Sequence, residues 1–237
     1  MPPATVDAPA KLTISLRITG VRDDGYHLID AEMVSLDLAD RLTFAEGDGL
    51  EVRGATGLAV PADDDNLVRR ALRLAGRTAH VTLDKAIPAG AGLGGGSADA
   101  AAVLRWAGVE DLDLAASLGA DVPFCLRGGR ARVSGVGEVL DPLPFEARAF
   151  TLVTPPFGCS TPAVYRAWDD LGGPTAEGAN DLEPAALVVE PRLAAWRDRL
   201  AEATGQVPTL AGSGATWFVD GEFPEAGLVV RTTEAFE

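Results

Sequence analysis

The chain has 237 residues, 47% apolar and 23% charged, which suits one large or two ordinary folded domains of enzyme size and excludes a disordered polypeptide. Its 35 acidic residues against 20 basic ones leave a net charge of −15, a field that repels nucleic acid and anionic lipid and argues against both as partners. Met1 to Ala10 lacks a basic segment leading into an apolar run, prolines interrupt the uncharged stretch 149–165, and the two cysteines, Cys125 and Cys159, form no C-x-x-C. No export signal, membrane span or disulfide framework is therefore expected, and a cytoplasmic location is.

From Leu12 to Ile18 apolar and polar residues alternate as in a strand, and Thr19 to Asp24 is a polar turn. Strand-like runs follow at 31–37, 41–46 and 79–84. Between the last two, Asn66 opens a helix whose apolar face is Leu67, Val68, Ala71, Leu72 and Leu74, and Gly76 closes it. Residues 85–104 form a glycine-dense loop that runs into an alanine-rich helix; Leu112–Leu118 reads as a second short helix and 119–133 as loop and strand. The segment 138–144, with Pro142 and Pro144, is a boundary, so we expect units at 1–144 and 145–237. The second unit reads as a strand at 149–154, helices near 162–170, 181–188 and 191–203, and strands at 207–211 and 215–219 around a tight glycine turn.

The strongest chemical signal is the run Gly90, Gly92, Gly94, Gly95, Gly96, Ser97 opening onto a helix. Glycines let the backbone approach a ligand and adopt positive φ, so that successive N–H groups converge on an anion at the positive end of the helix. Ser97 either caps that helix or offers its hydroxyl to a phosphate or a metal ion. The Walker pattern fails, because no lysine precedes Ser97. The spacing G-x-G-x-x-G is met, but Pro88 interrupts the approach from the strand and a second helix follows where a dinucleotide fold needs a parallel strand. Only two of the 20 cations are lysines, Lys11 and Lys85, and each borders one of the segments singled out here. They are either stray or chemically required.

Taken with Pro9-Ala10-Lys11-Leu12, Gly25-Tyr26-His27, Gly119-Ala120-Asp121-Val122-Pro123-Phe124, Ser160-Thr161-Pro162, Asn180-Asp181-Leu182-Glu183 and Gly212-Ser213-Gly214-Ala215, the loop resembles the GHMP kinase family, in family order and over nearly the whole chain. The resemblance implies an α+β fold of two domains, an N-terminal one like ribosomal protein S5 domain 2 and a reduced ferredoxin-like C-terminal one, with the site between them. It implies transfer of the ATP γ-phosphoryl group to an alcohol, with Mg²⁺ accompanying ATP and a cytidylyl diphosphate of a sugar alcohol as the acceptor, in non-mevalonate isoprenoid biosynthesis. Lys11 and Asp121 would flank the acceptor hydroxyl as the catalytic pair. Pro88, Gly90, Gly92, Leu93, Gly94, Gly95, Gly96 and Ser97 would bind ATP, Ser97 being the one candidate metal ligand. Thr13, Tyr26, His27, Tyr165, Gly212 and Ser213 would bind the acceptor, one of Tyr26 and His27 stacking on a cytosine opposite Tyr165 and the other hydrogen-bonding its edge.

Three features depart from the family pattern. Thr13 stands where that branch has asparagine, the helices of the nucleotide side are short, and only Asp220 to Gly227 separates the last two strand-like runs, too little for the crossover helix of the C-terminal domain. Either that domain is trimmed or another subunit covers its sheet edge, so monomer and homodimer both stay open. Rival readings are a GHMP kinase for another alcohol, of the homoserine or mevalonate type, and a nucleotide-binding relative without turnover.

Overall fold

A computed structural model describes residues 3–54 and 60–236. Two long strands dominate the N-terminal half: β1 (Ala4–Val21) and β2 (His27–Ala45) form one antiparallel hairpin closed at Gly25. The two strand-like runs of the sequence, 31–37 and 41–46, are thus one strand. The interrupting Asp40 breaks nothing, because its buried carboxylate accepts hydrogen bonds from the next strand's exit: the N–H groups of Ala86 and Ile87, at 2.6 and 2.8 Å, and Lys85 Nζ. The hairpin shifts register between Pro9 and Lys11 and again between Thr13 and Ser15, bulges that re-aim side chains next to the site described below.

After β2 come β3 (Gly49–Arg53), α1 (Leu67–Leu74), β4 (His80–Asp84), α2 (Gly95–Ala107), α3 (Leu112–Ala116), α4 (Val122–Arg127), β5 (Arg130–Gly135) and β6 (Val139–Pro142). The Asn66 side chain caps α1 by accepting from the Val68 N–H. β3 and α4 were not expected: β3 is too short to show alternation, and α4 starts at a proline-containing turn that reads locally as loop. Since β1 occupies one edge of β2 throughout, β5 and then β4 share the other edge, giving a six-stranded sheet of order β3-β4-β2-β5-β6 with β1 beside β2. On it lies α2, whose residues Ala98 to Leu104 are all buried. A helix without a polar face belongs at the centre of a fold, here between the sheet, α1 and α4.

β6 ends the first sheet at Pro142, and β7 (Ala149–Val153) starts the second. Then follow α5 (Thr161–Asp170), α6 (Glu183–Val189), α7 (Leu193–Thr204), β8 (Thr209–Leu210), β9 (Trp217–Asp220) and β10 (Leu228–Arg231), the strands forming an antiparallel sheet of order β10-β7-β9-β8. That is a ferredoxin-like order lacking its last helix. The connection from β9 to β10 crosses β7 as a short loop, held by buried Thr151. Its hydroxyl donates to the Gly221 carbonyl at 2.8 Å and accepts the Phe223 N–H at 2.9 Å. The tail then returns to the first sheet, where the Thr233 N–H donates to Ser35 O at 2.9 Å. Among the described residues no helix is long and apolar enough to cross a membrane.

Candidate active site

The two sheets and their helices enclose a cleft of about 1090 Å³. β1 supplies Lys11 and Thr13, and the hairpin turn supplies Tyr26 and His27. The segment 88–97 supplies Pro88, Gly90, Gly92, Leu93, Gly94, Gly95, Gly96 and Ser97. Asp121 comes from the start of α4, Tyr165 from α5, and Gly212 and Ser213 from the turn after β8. Residues more than 200 positions apart therefore share one cavity.

At its floor Lys11 Nζ lies 3.2 Å from Asp121 Oδ2 and donates to Thr13 Oγ1 at 3.0 Å. The lysine is buried, whereas the aspartate side chain is 31% exposed and open to the cleft. Asp121 occupies the N-cap position of α4 without capping it, so its carboxylate remains free for Lys11 and a ligand. Thr13, the departure from the family's asparagine, holds the lysine head from the other side. The bulge at Ala10 leaves the Lys11 N–H to donate to Leu93 O at 3.0 Å, which ties the glycine loop to β1.

The loop reaches α2 through Gly94, the N-cap residue, at φ +69°. Ser97 is the third residue of that helix and caps nothing. Its hydroxyl has no hydrogen bond within the described residues, which removes the capping alternative and leaves the group to a ligand. Gly92, at φ +78°, lies so close to the second sheet that a Cβ would stand 2.4 Å from Ala211 O and 2.7 Å from Gly214 O. The same seam is closed by the Thr216 N–H donating to Ala91 O at 3.1 Å, while Ser213 Oγ meets Thr161 Oγ1 at 2.8 Å.

Asn180 and Asp181 do not enter the cavity but clamp it. Asn180 Nδ2 donates to Leu210 O and Gly212 O at 2.8 and 2.7 Å, and Asp181 accepts from Arg17 Nη1 at 2.7 Å and from the Ile18 N–H at 2.9 Å. The second half of the chain is thus fastened to β1, which carries Lys11.

Lys85 is buried behind the loop between Asp40 and Asp99, with Asp99 Oδ2 at 2.8 Å. Its two carboxylates hold the ammonium above the usual lysine range despite burial. Asp99 is pushed up to about 7, by burial first, with Lys85 opposing and the Asp40 carboxylate adding. Its Oδ1 has no hydrogen-bond partner among the described residues. A lone acid in the run Ser97-Ala98-Asp99-Ala100-Ala101-Ala102 is the trace of this cluster in the sequence.

Since the folded pKa is raised above the unfolded value of 3.8, the stability gained by keeping Asp99 protonated is present below about pH 4 and lost as pH rises through 7. Chemical denaturation of wild type and Asp99→Asn at pH 5 and 8 checks this. Wild type should lose stability relative to the uncharged variant by on the order of 1–3 kcal/mol between these pH values.

At the far end, Tyr165 stacks obliquely on His27, ring centroids 4.7 Å apart, while Trp168 meets His27 edge-on at 5.5 Å. Burial pushes the Tyr165 phenol up to about 12, the Asp121 carboxylate adding, so the phenol stays protonated. Tyr26 is 62% exposed at the rim, beneath the Arg22 guanidinium. The ring against Tyr165 is therefore His27, and Tyr26 stands apart at the rim of the cleft. Arg166, also lining the cleft, has no carboxylate partner among the described residues, unlike both lysines. Asp169, which also lines the cleft, follows Tyr165 by four positions and Arg166 by three along α5, spacings that make it a neighbour of both on the helix surface.

The family description GHMP kinases N terminal domain matches residues 66–129. A 4-diphosphocytidyl-2-C-methyl-D-erythritol kinase of Paracoccus denitrificans is 43% identical over 231 residues, spanning 89% of this chain and 84% of its own. The kinase of the same name from Ruegeria pomeroyi is 39% identical over 249 residues, 93% and 88% of the two chains. A crystal structure of 4-(cytidine 5'-diphospho)-2C-methyl-D-erythritol kinase superposes at a TM-score of 0.77 with 32% identity, covering 97% of this chain and all of the other.

Proposed function

The chain belongs to the GHMP kinase family, in the branch of the 4-diphosphocytidyl-2-C-methyl-D-erythritol kinases, and on that premise we propose that it transfers the γ-phosphoryl group of ATP to the 2-hydroxyl of 4-diphosphocytidyl-2-C-methyl-D-erythritol. The observation that carries the reading is the Lys11–Asp121 pair, 3.2 Å apart at the foot of the glycine loop. We divide the chain at 144/145 into the ATP-binding domain and the smaller domain that completes the acceptor site, and place the reaction in the cytoplasm.

Phosphoryl transfer through a loose transition state asks mainly for alignment and charge stabilisation. The N–H groups from Gly94 to Ser97, at the positive end of α2, receive the ATP phosphates. The acceptor hydroxyl lies between Asp121 and Lys11. Lys11 holds the charge that spreads over the transferring oxygens, and Asp121 orients the hydroxyl and takes its proton as the O–P bond forms. No group of three or more His, Cys, Asp or Glu side chains among the described residues forms a metal cage. That suits Mg²⁺, which ordinarily binds through the nucleotide phosphates and one or two protein oxygens and supplies charge neutralisation when bound. The Ser97 hydroxyl, without a hydrogen bond within the described residues, is the protein oxygen that would fit it. Arg166, without a carboxylate partner, is assigned to the acceptor diphosphate.

ADP release with Mg-ATP should depend on the cytidylyl substrate and stay at background with homoserine or mevalonate. Equal turnover with either of those alcohols would overturn the acceptor assignment. Binding of ATP with no turnover on any of them would overturn the enzymatic reading.

A further inference from the structure

Asp169 has no part in the phosphoryl transfer, yet its Oδ1 lies 2.8 Å from His27 Nε2, a contact across 142 positions. The imidazole it meets is held on three sides. Tyr165 stacks on it, Trp168 abuts its edge, and its side chain is only 9% exposed. Its other nitrogen, Nδ1, makes no hydrogen bond with any described residue, although the ring lines the cleft. The placement of Asp169 also works against the helix it sits on. It lies in the last turn of α5, which has no basic residue there, and a carboxylate at a helix C-terminus is electrostatically unfavourable. Local helix energetics do not account for the acid, whereas the contact to His27 does.

We propose that Asp169 is a specificity-positioning residue: by accepting the Nε2–H of His27 it fixes the tautomer whose bare Nδ1 accepts the 4-amino group of a cytosine and rejects the 4-carbonyl of a uracil. This rests on the cytidylyl substrate proposed above and names how the base is told from its near-isostere. A carboxylate only accepts, so in the neutral imidazole the hydrogen sits on Nε2 and the lone pair on Nδ1. Cytosine and uracil have nearly the same shape, so packing alone does not tell them apart. At their 4-position one presents a donor and the other an acceptor. A fixed lone pair therefore gains a hydrogen bond with the first and faces an acceptor with the second, the kind of polar mismatch that discriminates far better than shape. Without Asp169 the imidazole samples both tautomers, and its Nδ1–H form suits the uracil carbonyl.

The test is calorimetric binding of cytidine diphosphate and uridine diphosphate to the full chain, with the ATP site saturated by a non-hydrolysable ATP analogue. Wild type should prefer the cytidine nucleotide at least tenfold. Asp169→Ala should bring the two affinities within about threefold, and Asp169→Glu should keep most of the preference, since its carboxylate likewise only accepts. Asp169 is half exposed and unfavourably placed on its helix, so neither variant should lose the fold. An unchanged ratio in Asp169→Ala, a ratio in Asp169→Glu as low as in Asp169→Ala, or a wild type without preference each overturns the proposal. The nucleotides are not phosphorylated in this experiment, so a kinase reading that fails in the turnover assay leaves the outcome readable: a ratio that moves as described supports the base-reading role by itself.

Discussion

Asp121→Ala should lower kcat by roughly 10²- to 10⁴-fold, the usual worth of a positioned proton acceptor, while ATP binding changes little. The carboxylate stands at the mouth of α4 without capping it, 3.2 Å from Lys11, and has no structural task other than partnering that ammonium. Removing it leaves Lys11 buried with only the Thr13 hydroxyl, so a modest fall in melting temperature should accompany the loss of turnover. Asp121→Asn separates the two effects. The amide keeps a polar partner beside Lys11 and should melt near wild type, but it cannot take the proton. ADP release under single-turnover conditions, measured beside the ATP-analogue affinity, checks the assignment. An Asn variant as active as wild type would mean that the proton leaves by another route and that Asp121 only orients the hydroxyl.

Gly92→Ala is the second large expectation, and it acts through geometry. The residue sits at φ +78°, where a Cβ is strained whatever its surroundings, and that Cβ would stand 2.4 Å from Ala211 O and 2.7 Å from Gly214 O. Both obstacles are backbone of the turn that carries Gly212 and Ser213, so the loop and the second sheet must part. Strain of about 1–3 kcal/mol from the dihedral is joined by the overlap. A loss of about 3 kcal/mol in a chain of this size lowers the melting temperature by roughly 6–12 °C. Gly108→Ala is the control, because Gly108 has nearly the same φ, +75°, with nothing within 4 Å of its Cβ position. Gly92→Ala should melt well below Gly108→Ala and should bind ATP analogue at least tenfold more weakly. Equal melting temperatures for the two variants would show that the dihedral alone matters and that the seam tolerates a methyl group.

Much of the site is local chemistry and so can be read in one dimension. A run of glycines before an alanine-rich helix specifies a phosphate loop because both the backbone freedom and the helix end lie within a few residues. The buried face of α1, its Asn66 cap and the turn at Gly25 are local in the same sense. The missing crossover helix was visible by counting residues between two strand-like runs, and the fold is a ferredoxin-like sheet order without that helix.

What the sequence by itself determined is therefore the loop, the helices with clear periodicity, the family, and the identity of the residues that gather in the cleft. The tertiary structure alone decided how those residues are partnered. Asp40 interrupts an apolar pattern and looks like a break between two strands until β4 brings Lys85 to it. Asp99 stands alone among the alanines of α2 until the fold sets Lys85 2.8 Å from its Oδ2. Asp169 belongs to the tail of one helix and His27 to a hairpin, and nothing local couples them. The reason is physical. Periodicity and capping are set by neighbours within about a turn, whereas a buried charge is stable only where packing and strand register deliver its counter-charge from elsewhere in the chain.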